Sequence, residues 1–141
     1  MGTSPRHRAR ELVLQGLYAQ EIGEIPPQEV VDKILVDEDL SEVTIEYARR
    51  LYEQVRLNSA WADSVITRLA TNWDLDRIAV IDRIILRLAM TEIKESPDVP
   101  VKVVLNEAIE LAKCFSTGES SSFINGVLDS FAKNSAEFID V

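Results

Sequence analysis

A chain of 141 residues with 46% hydrophobic residues has material for one compact domain or two small helical subdomains sharing a core, and is too short for an added catalytic domain. Its apolar runs stop at four or five residues, as in Ile78-Ala79-Val80-Ile81, so no segment is expected to span a bilayer. The net charge of −9 conceals an asymmetry: Met1 to Arg10 holds Arg6, Arg8 and Arg10 and no acid, which leaves −12 on Glu11 to Val141, an arrangement suited to two partners, a polyanion and a basic protein.

The first helix is expected to start at Ser4-Pro5, where serine can cap and proline suits the first helical position, and to run through Glu21. Ala9, Leu12, Val13, Gly16 and Leu17 form its apolar stripe, with Gly16 allowing close helix approach. Gly23 and Pro26-Pro27 break the pattern. A short second helix follows, carrying Val30, Val31, Ile34 and Leu35, and then an acidic connection, Asp37 to Glu42. Ala48, Leu51, Tyr52 and Val55 mark a third helix over about 45–58, and Trp61, Val65, Ile66 and Leu69 a fourth over about 61–70. Trp73 falls in the next turn.

The clearest amphipathic stretch covers about 74–94, with Ile78, Ile81, Ile84, Ile85, Leu88 and Ile93 inside and Asp82, Arg83, Arg87 and Glu92 outside. Pro97 ends it. Pro100 opens a sixth helix whose inner face is Val103, Val104, Ala108, Leu111 and Ala112. Ser116-Thr117-Gly118-Glu119 has the spacing of a capping box, and the last helix carries Phe123, Val127, Leu128 and Phe131, with a frayed tail after Lys133. No stretch alternates as a strand does, and no fixed-period repeat or low-complexity segment occurs. The fold class is therefore all-α with about seven helices, a single domain over 1–141. Its basic segment is 1–10, its N-terminal subdomain about 4–71 and its C-terminal subdomain about 74–134.

Catalytic chemistry finds no residues to carry it. The one histidine, His7, lies in the basic end and the one cysteine, Cys114, at a helix terminus, so no nucleophile sits beside a base. Cys114 reads as a small packed residue. No glycine pattern cradles a phosphate, and one Cys with one His makes no zinc set or intrachain disulfide. Glu107 and Glu110 fit a solvated helical face better than an acid–base pair. No enzyme activity, metal or cofactor is expected. The N-terminus lacks the apolar core of a secretory signal, which predicts a cytoplasmic protein.

Arg6, His7, Arg8 and Arg10 occupy the first turns of a helix, where the macrodipole makes each cation cost on the order of 0.3–1 kcal/mol. A phosphate backbone would account for them, since arginine binds phosphate oxygens bidentately, and solvated side chains on an exposed helical end would account for them equally well. Neutralising about three phosphates of a single strand gives a salt slope of only about −2. Specific recognition would therefore require stacking or base-edge contacts elsewhere and a second protein on the same RNA. Phe115 and Phe123, bracketing a loop rich in hydroxyls, are the candidates; core packing fits Phe123 as well as stacking does, whereas Phe115 is better placed for exposure.

Four blocks in register resemble the NusB family of bacterial antitermination factors. They are Arg6-His7-Arg8-Ala9-Arg10-Glu11 followed by Gln15-Gly16-Leu17-Tyr18; Leu75-Asp76-Arg77-Ile78 through Asp82-Arg83-Ile84-Ile85-Leu86-Arg87-Leu88-Ala89; the run from Val99-Pro100 to Ala112-Lys113; and Phe123-Ile124-Asn125-Gly126-Val127-Leu128. The resemblance implies two packed three-helix bundles plus a terminal helix. It implies binding to boxA RNA of ribosomal RNA leaders together with NusE, a small-subunit ribosomal protein, in an elongation complex with RNA polymerase and other Nus factors that resists termination. By position it places Arg6, His7, Arg8, Arg10, Phe115, Ser120, Phe123 and Asn125 on RNA, and Tyr18, Asp76, Asp82 and Glu119 on NusE.

The chain departs from the family in carrying His7 where many relatives have arginine, and Thr91 where an aromatic often stands. Two other readings accompany this one. A NusB-like module also occurs fused to an RNA cytosine methyltransferase, but the cofactor-binding domain such an enzyme needs is not expected here. The other is a homodimer with the arginine end in its interface.

Overall fold

The computed structural model describes residues 4–139, and among them every regular element is helical. The chain divides into two compact units, Met1–Arg56 and Leu57–Val141.

The first unit comprises α1 (Pro5–Gly23), α2 (Pro27–Lys33) and α3 (Glu42–Leu57), the last residue of α3 falling just beyond it. Ser4 caps α1 as its sequence predicts, its hydroxyl accepting from the His7 amide at 3.1 Å. Each such cap is worth about 1 kcal/mol. α1 ends two residues later than expected because Glu24 takes the left-handed conformation, φ 54°, and its amide returns to the Ala19 carbonyl. Glycine at 16 brings α1 against α2: a Cβ there would stand 2.7 Å from Val30 Cγ1 and 3.4 Å from Leu35 Cδ2. Tyr52 of α3, fully buried, lies beside the same glycine, and its hydroxyl donates to Gln20 Oε1. Burial raises the Tyr52 phenol above its ordinary pKa.

The second unit holds α4 (Ser59–Leu69), a single 3₁₀ turn (Leu75–Arg77), α5 (Val80–Glu95), α6 (Val101–Phe115), α7 (Gly118–Lys133) and a short α8 (Ser135–Phe138). α5 is packed by α4, α6 and α7, and this changes which of its residues are inside. Asp82 and Glu92, placed outside by periodicity, are 6% and 1% exposed. Arg83 and Arg87 are half-buried. A helix flanked on several sides buries more than one stripe, and its polar side chains then need partners. Arg87 forks onto Asp63 of α4 at 2.7 and 2.9 Å, and Arg83 donates to the Leu75 carbonyl at 3.2 Å.

The expected fifth helix does not begin at residue 74. The 3₁₀ turn and the extended residues Ile78 and Ala79 (ψ 132° and 141°) precede it, and this kink turns Ile78 inward to 6% exposure. Val103, assigned to the inner face of α6, is 41% exposed, with Val104 taking the core position. Cys114 is exposed, not packed. The segment after Lys133 forms α8 instead of fraying: Phe138 stacks on Phe131, centroids 5.9 Å apart, and the Trp61 indole donates to the Phe138 carbonyl at 2.9 Å.

Thr91 of α5 is fully buried and its hydroxyl has no hydrogen-bond partner among the described residues, a state that costs about 1–3 kcal/mol. Thr91→Val, which removes the hydroxyl and keeps the shape, is expected to raise the unfolding free energy by about 1 kcal/mol. The urea midpoint at constant m-value measures it, and a lowered midpoint would mean that the hydroxyl is satisfied in solution.

Candidate nucleic-acid interface

Arg6, His7, Arg8 and Arg10 lie in the first turns of α1, and the four cations meet different fates. α1 has no acid in its first turn, so no first-turn carboxylate offsets the dipole's cost. What compensation there is comes from Glu11 and Asp37, which reach His7 and Arg8. Arg6 is exposed, its guanidinium 4.0 Å from the centroid of the Tyr47 ring on α3. Arg8 is half-buried and spans Asp37 at 2.9 Å and Glu11 at 3.2 Å. His7 is 8% exposed with Nε2 3.5 Å from Glu11, and Arg10 is 3% exposed. The expectation that all four present themselves to solvent is thus corrected for His7 and Arg10. α1 turns through 100° per residue, so residues 7 and 10 share the face that carries Leu14 and Leu17 into the core.

The Arg8–Asp37 pair also ties the loop after α2 to α1, across 29 residues of sequence. Arg8 holds the Asp37 carboxyl below its ordinary value of 3.8, helped by the Asp39 amide, and the carboxylate raises Arg8 in turn. A depressed carboxyl stabilises the fold above its unfolded pKa and loses that contribution as pH falls through the folded value. The stability difference between wild type and Asp37→Asn is therefore expected to be constant from neutrality to about pH 5 and to shrink toward about pH 2. Urea midpoints against pH test this, and a pH-independent difference would contradict it.

In the second unit the predicted residues gather around the N-terminus of α7. Asp82 is the hinge of the cluster. One carboxylate oxygen accepts from Ser116 Oγ at 2.7 Å and the other from Ser120 Oγ at 2.8 Å. Asp82 is therefore corrected from an exposed docking residue to a buried one, and Ser120, 8% exposed, from a base contact to its partner. This also displaces the expected capping box: Thr117 is the N-cap, without a side-chain cap bond, while Ser116 is spent on Asp82 and Glu119 stays exposed. Phe115 and Phe123 are both half-buried and Asn125 is exposed.

Phe123 meets Trp73 edge-on, centroids 6.3 Å apart. A cleft of about 310 Å³ opens beside the pair, lined by Trp73, Arg77, Ile78, Thr117, Glu119 and Phe123 among others. Trp73, 53% exposed, is the residue that helical periodicity passes over. Its signal lay in its setting, a tryptophan between Asn72 and Asp74 in a turn, off every apolar stripe. Tyr18 (40% exposed), Asp76 and Glu119 are open to solvent.

The described residues thus form an all-helical protein that presents exposed cations, half-exposed aromatics and exposed acids, and among them no group of His, Cys, Asp and Glu could hold a metal. The NusB family model matches residues 7–133. The chain belongs to the NusB family of transcription antitermination factors, which are not enzymes. It is 41% identical to the transcription antitermination protein NusB of Dehalococcoides mccartyi over 135 residues, covering 96% of this chain and 94% of that one. It is 43% identical to that of Mannheimia succiniciproducens, covering 92% and 90%. Among solved structures, NusB of T. maritima superposes with a TM-score of 0.85 at 35% identity, covering 94% of each chain. No helix among the described residues is long and apolar enough to cross a membrane.

Proposed function

We propose that this chain binds boxA-type single-stranded RNA of ribosomal RNA leaders jointly with NusE, and that in the cytoplasm the complex joins RNA polymerase and other Nus factors to resist termination. The observation that carries the reading is Arg6: an exposed cation at the positive end of α1, braced on Tyr47 and without a carboxylate partner among the described residues. Such a charge is unfavourable in the free protein and favourable once a phosphate neutralises it. Arg8, whose side chain is 38% exposed, adds a second cation within reach of the same strand. Phe115, Phe123 and Asn125 offer stacking and hydrogen bonding to unstacked bases. Tyr18, Asp76 and Glu119 supply the exposed, mainly acidic surface that suits a basic ribosomal protein. His7, Arg10, Asp82 and Ser120 act in this reading by holding those residues in place.

Fluorescence anisotropy with boxA-type RNA, with and without NusE and at two salt concentrations, tests the proposal. Weak, salt-sensitive binding alone and tight, sequence-selective binding with NusE are expected. Equal affinity for boxA and scrambled RNA in the presence of NusE would overturn it.

A further inference from the structure

The Tyr47 ring of α3 serves two guanidiniums. Arg6 lies 4.0 Å and Arg50 5.6 Å from its centroid, so the two charges are no more than about 10 Å apart, on the order of a Debye length at 0.1 M salt. Both are exposed, while Tyr47 beneath them is 5% exposed.

Arg50 had an alternative. Glu46 stands four residues before it on α3, the favoured orientation for a helical ion pair, yet the two are not in ion-pair contact and Arg50 lies over the ring. Other arginines of the described chain do meet a carboxylate: Arg8 with Asp37, Arg56 with Glu53 at 2.7 Å, Arg87 with Asp63 and, more loosely, Arg68 with Glu137 and Arg77 with Asp74. An aromatic face holds a cation in place without neutralising it. Arg49, next to Arg50 in the sequence, is also exposed and without a carboxylate partner among the described residues. Two like charges held close together and left without a counterion lower their energy by taking up a polyanion, whose condensed ions are released.

We infer that the RNA track continues from α1 onto α3: Arg50 binds a backbone phosphate beside the one held by Arg6, and Tyr47 is the positioning residue that keeps both guanidiniums extended. The inference rests on the RNA-binding reading above and adds to it a second helix and a contact that is indifferent to base sequence. The ligand is the sugar–phosphate strand, since phosphate contacts set register and orientation and leave base reading to other residues.

The test is the salt dependence of binding of the full-length chain, with NusE, to boxA-type RNA. Losing one phosphate contact to a single strand makes the slope of log K against log salt shallower by about 0.7. Arg50→Gln is expected to show that change and to weaken boxA and scrambled RNA by the same factor. Lys33→Gln, which removes an equal charge from an exposed lysine paired with Glu29, is expected to keep the wild-type slope. Tyr47→Phe should also keep it and Tyr47→Leu should lower it, with circular dichroism and thermal melting followed in parallel. A wild-type slope for Arg50→Gln, when Arg6→Gln lowers it, overturns the path across α3 and leaves RNA binding standing. An equal loss from Lys33→Gln would reduce the effect to overall charge and overturn the inference as well. Absence of RNA binding by the wild-type complex would instead remove the underlying reading.

Discussion

Phe131→Ala is expected to lower the unfolding free energy by about 3–5 kcal/mol, the range for truncating a buried phenylalanine. Phe131 is fully buried on α7. Its ring meets the edge of Trp61 at a centroid distance of 6.0 Å and stacks on Phe138 at 5.9 Å, and each aromatic pair adds about 0.5–1.5 kcal/mol beyond the area it buries. Trp61 is fixed from two further sides, by its indole bond to the Phe138 carbonyl and by the Lys94 ammonium 4.3 Å above the ring. It cannot swing into the vacated space without giving up both, so the cavity persists. Phe138→Ala should cost less, because Phe138 is half-buried and sits in a four-residue helix near the chain end. Urea denaturation followed by tryptophan fluorescence reads both variants. A loss below about 1.5 kcal/mol for Phe131→Ala would show that the site collapses around the smaller side chain.

This cluster also shows where sequence patterning stops. Phe131 lies on the stripe with Val127 and Leu128, and the period of 3.6 places it in the core. Phe138 belongs to a helix of four residues, too short for any period to register, and the contacts that order it come from Trp61, 77 residues away. The same limit produced the error at residues 74–79. Asp74 to Ala79 contains no glycine or proline, and its apolar positions continue those of α5, so the kink is invisible in the pattern. It exists because Arg83 reaches back to the Leu75 carbonyl and Ile78 turns inward.

Local signals fared better. Ser4-Pro5, Gly16, Pro97 and Pro100 each act within a few residues through backbone geometry, and the structure uses each as its chemistry dictates. For the candidate interface, composition pointed to the basic start of the chain but could not sort accessible from buried side chains. Arg6 and Arg10 are the same residue type four apart on one helix, and only the tertiary environment separates them. Glu92 and Asp82 were misjudged for a related reason: a charged residue on a helix packed from several sides is buried, and Asp82 finds its partners where α6 gives way to α7.

Asp82→Ala is expected to cost about 2–4 kcal/mol and to loosen the start of α7. Two hydroxyl bonds to a carboxylate would be worth about 1.5–3 kcal/mol each if lost independently. They are not independent, because Ser116 and Ser120 lie 2.8 Å apart and Ser120 also meets Thr117 at 3.1 Å, so the hydroxyls can turn to one another once the carboxylate is gone. The residual loss falls where α7 begins, between Ser116 and Phe123, and amide exchange there should quicken while exchange in α3 stays unchanged. Asp82→Asn keeps the shape and one good acceptor, and its serine partners can reverse their donor direction, so a loss of about 1 kcal/mol is expected. Partner binding separates a structural from a contact role. With Asp82 buried, Asp82→Asn should disturb NusE association less than neutralising exposed Asp76 or Glu119. If Asp82→Asn instead abolished association at unchanged stability and unchanged exchange, Asp82 would have to turn outward to meet the partner, and its bonds to the two serines would be a resting state of the free protein.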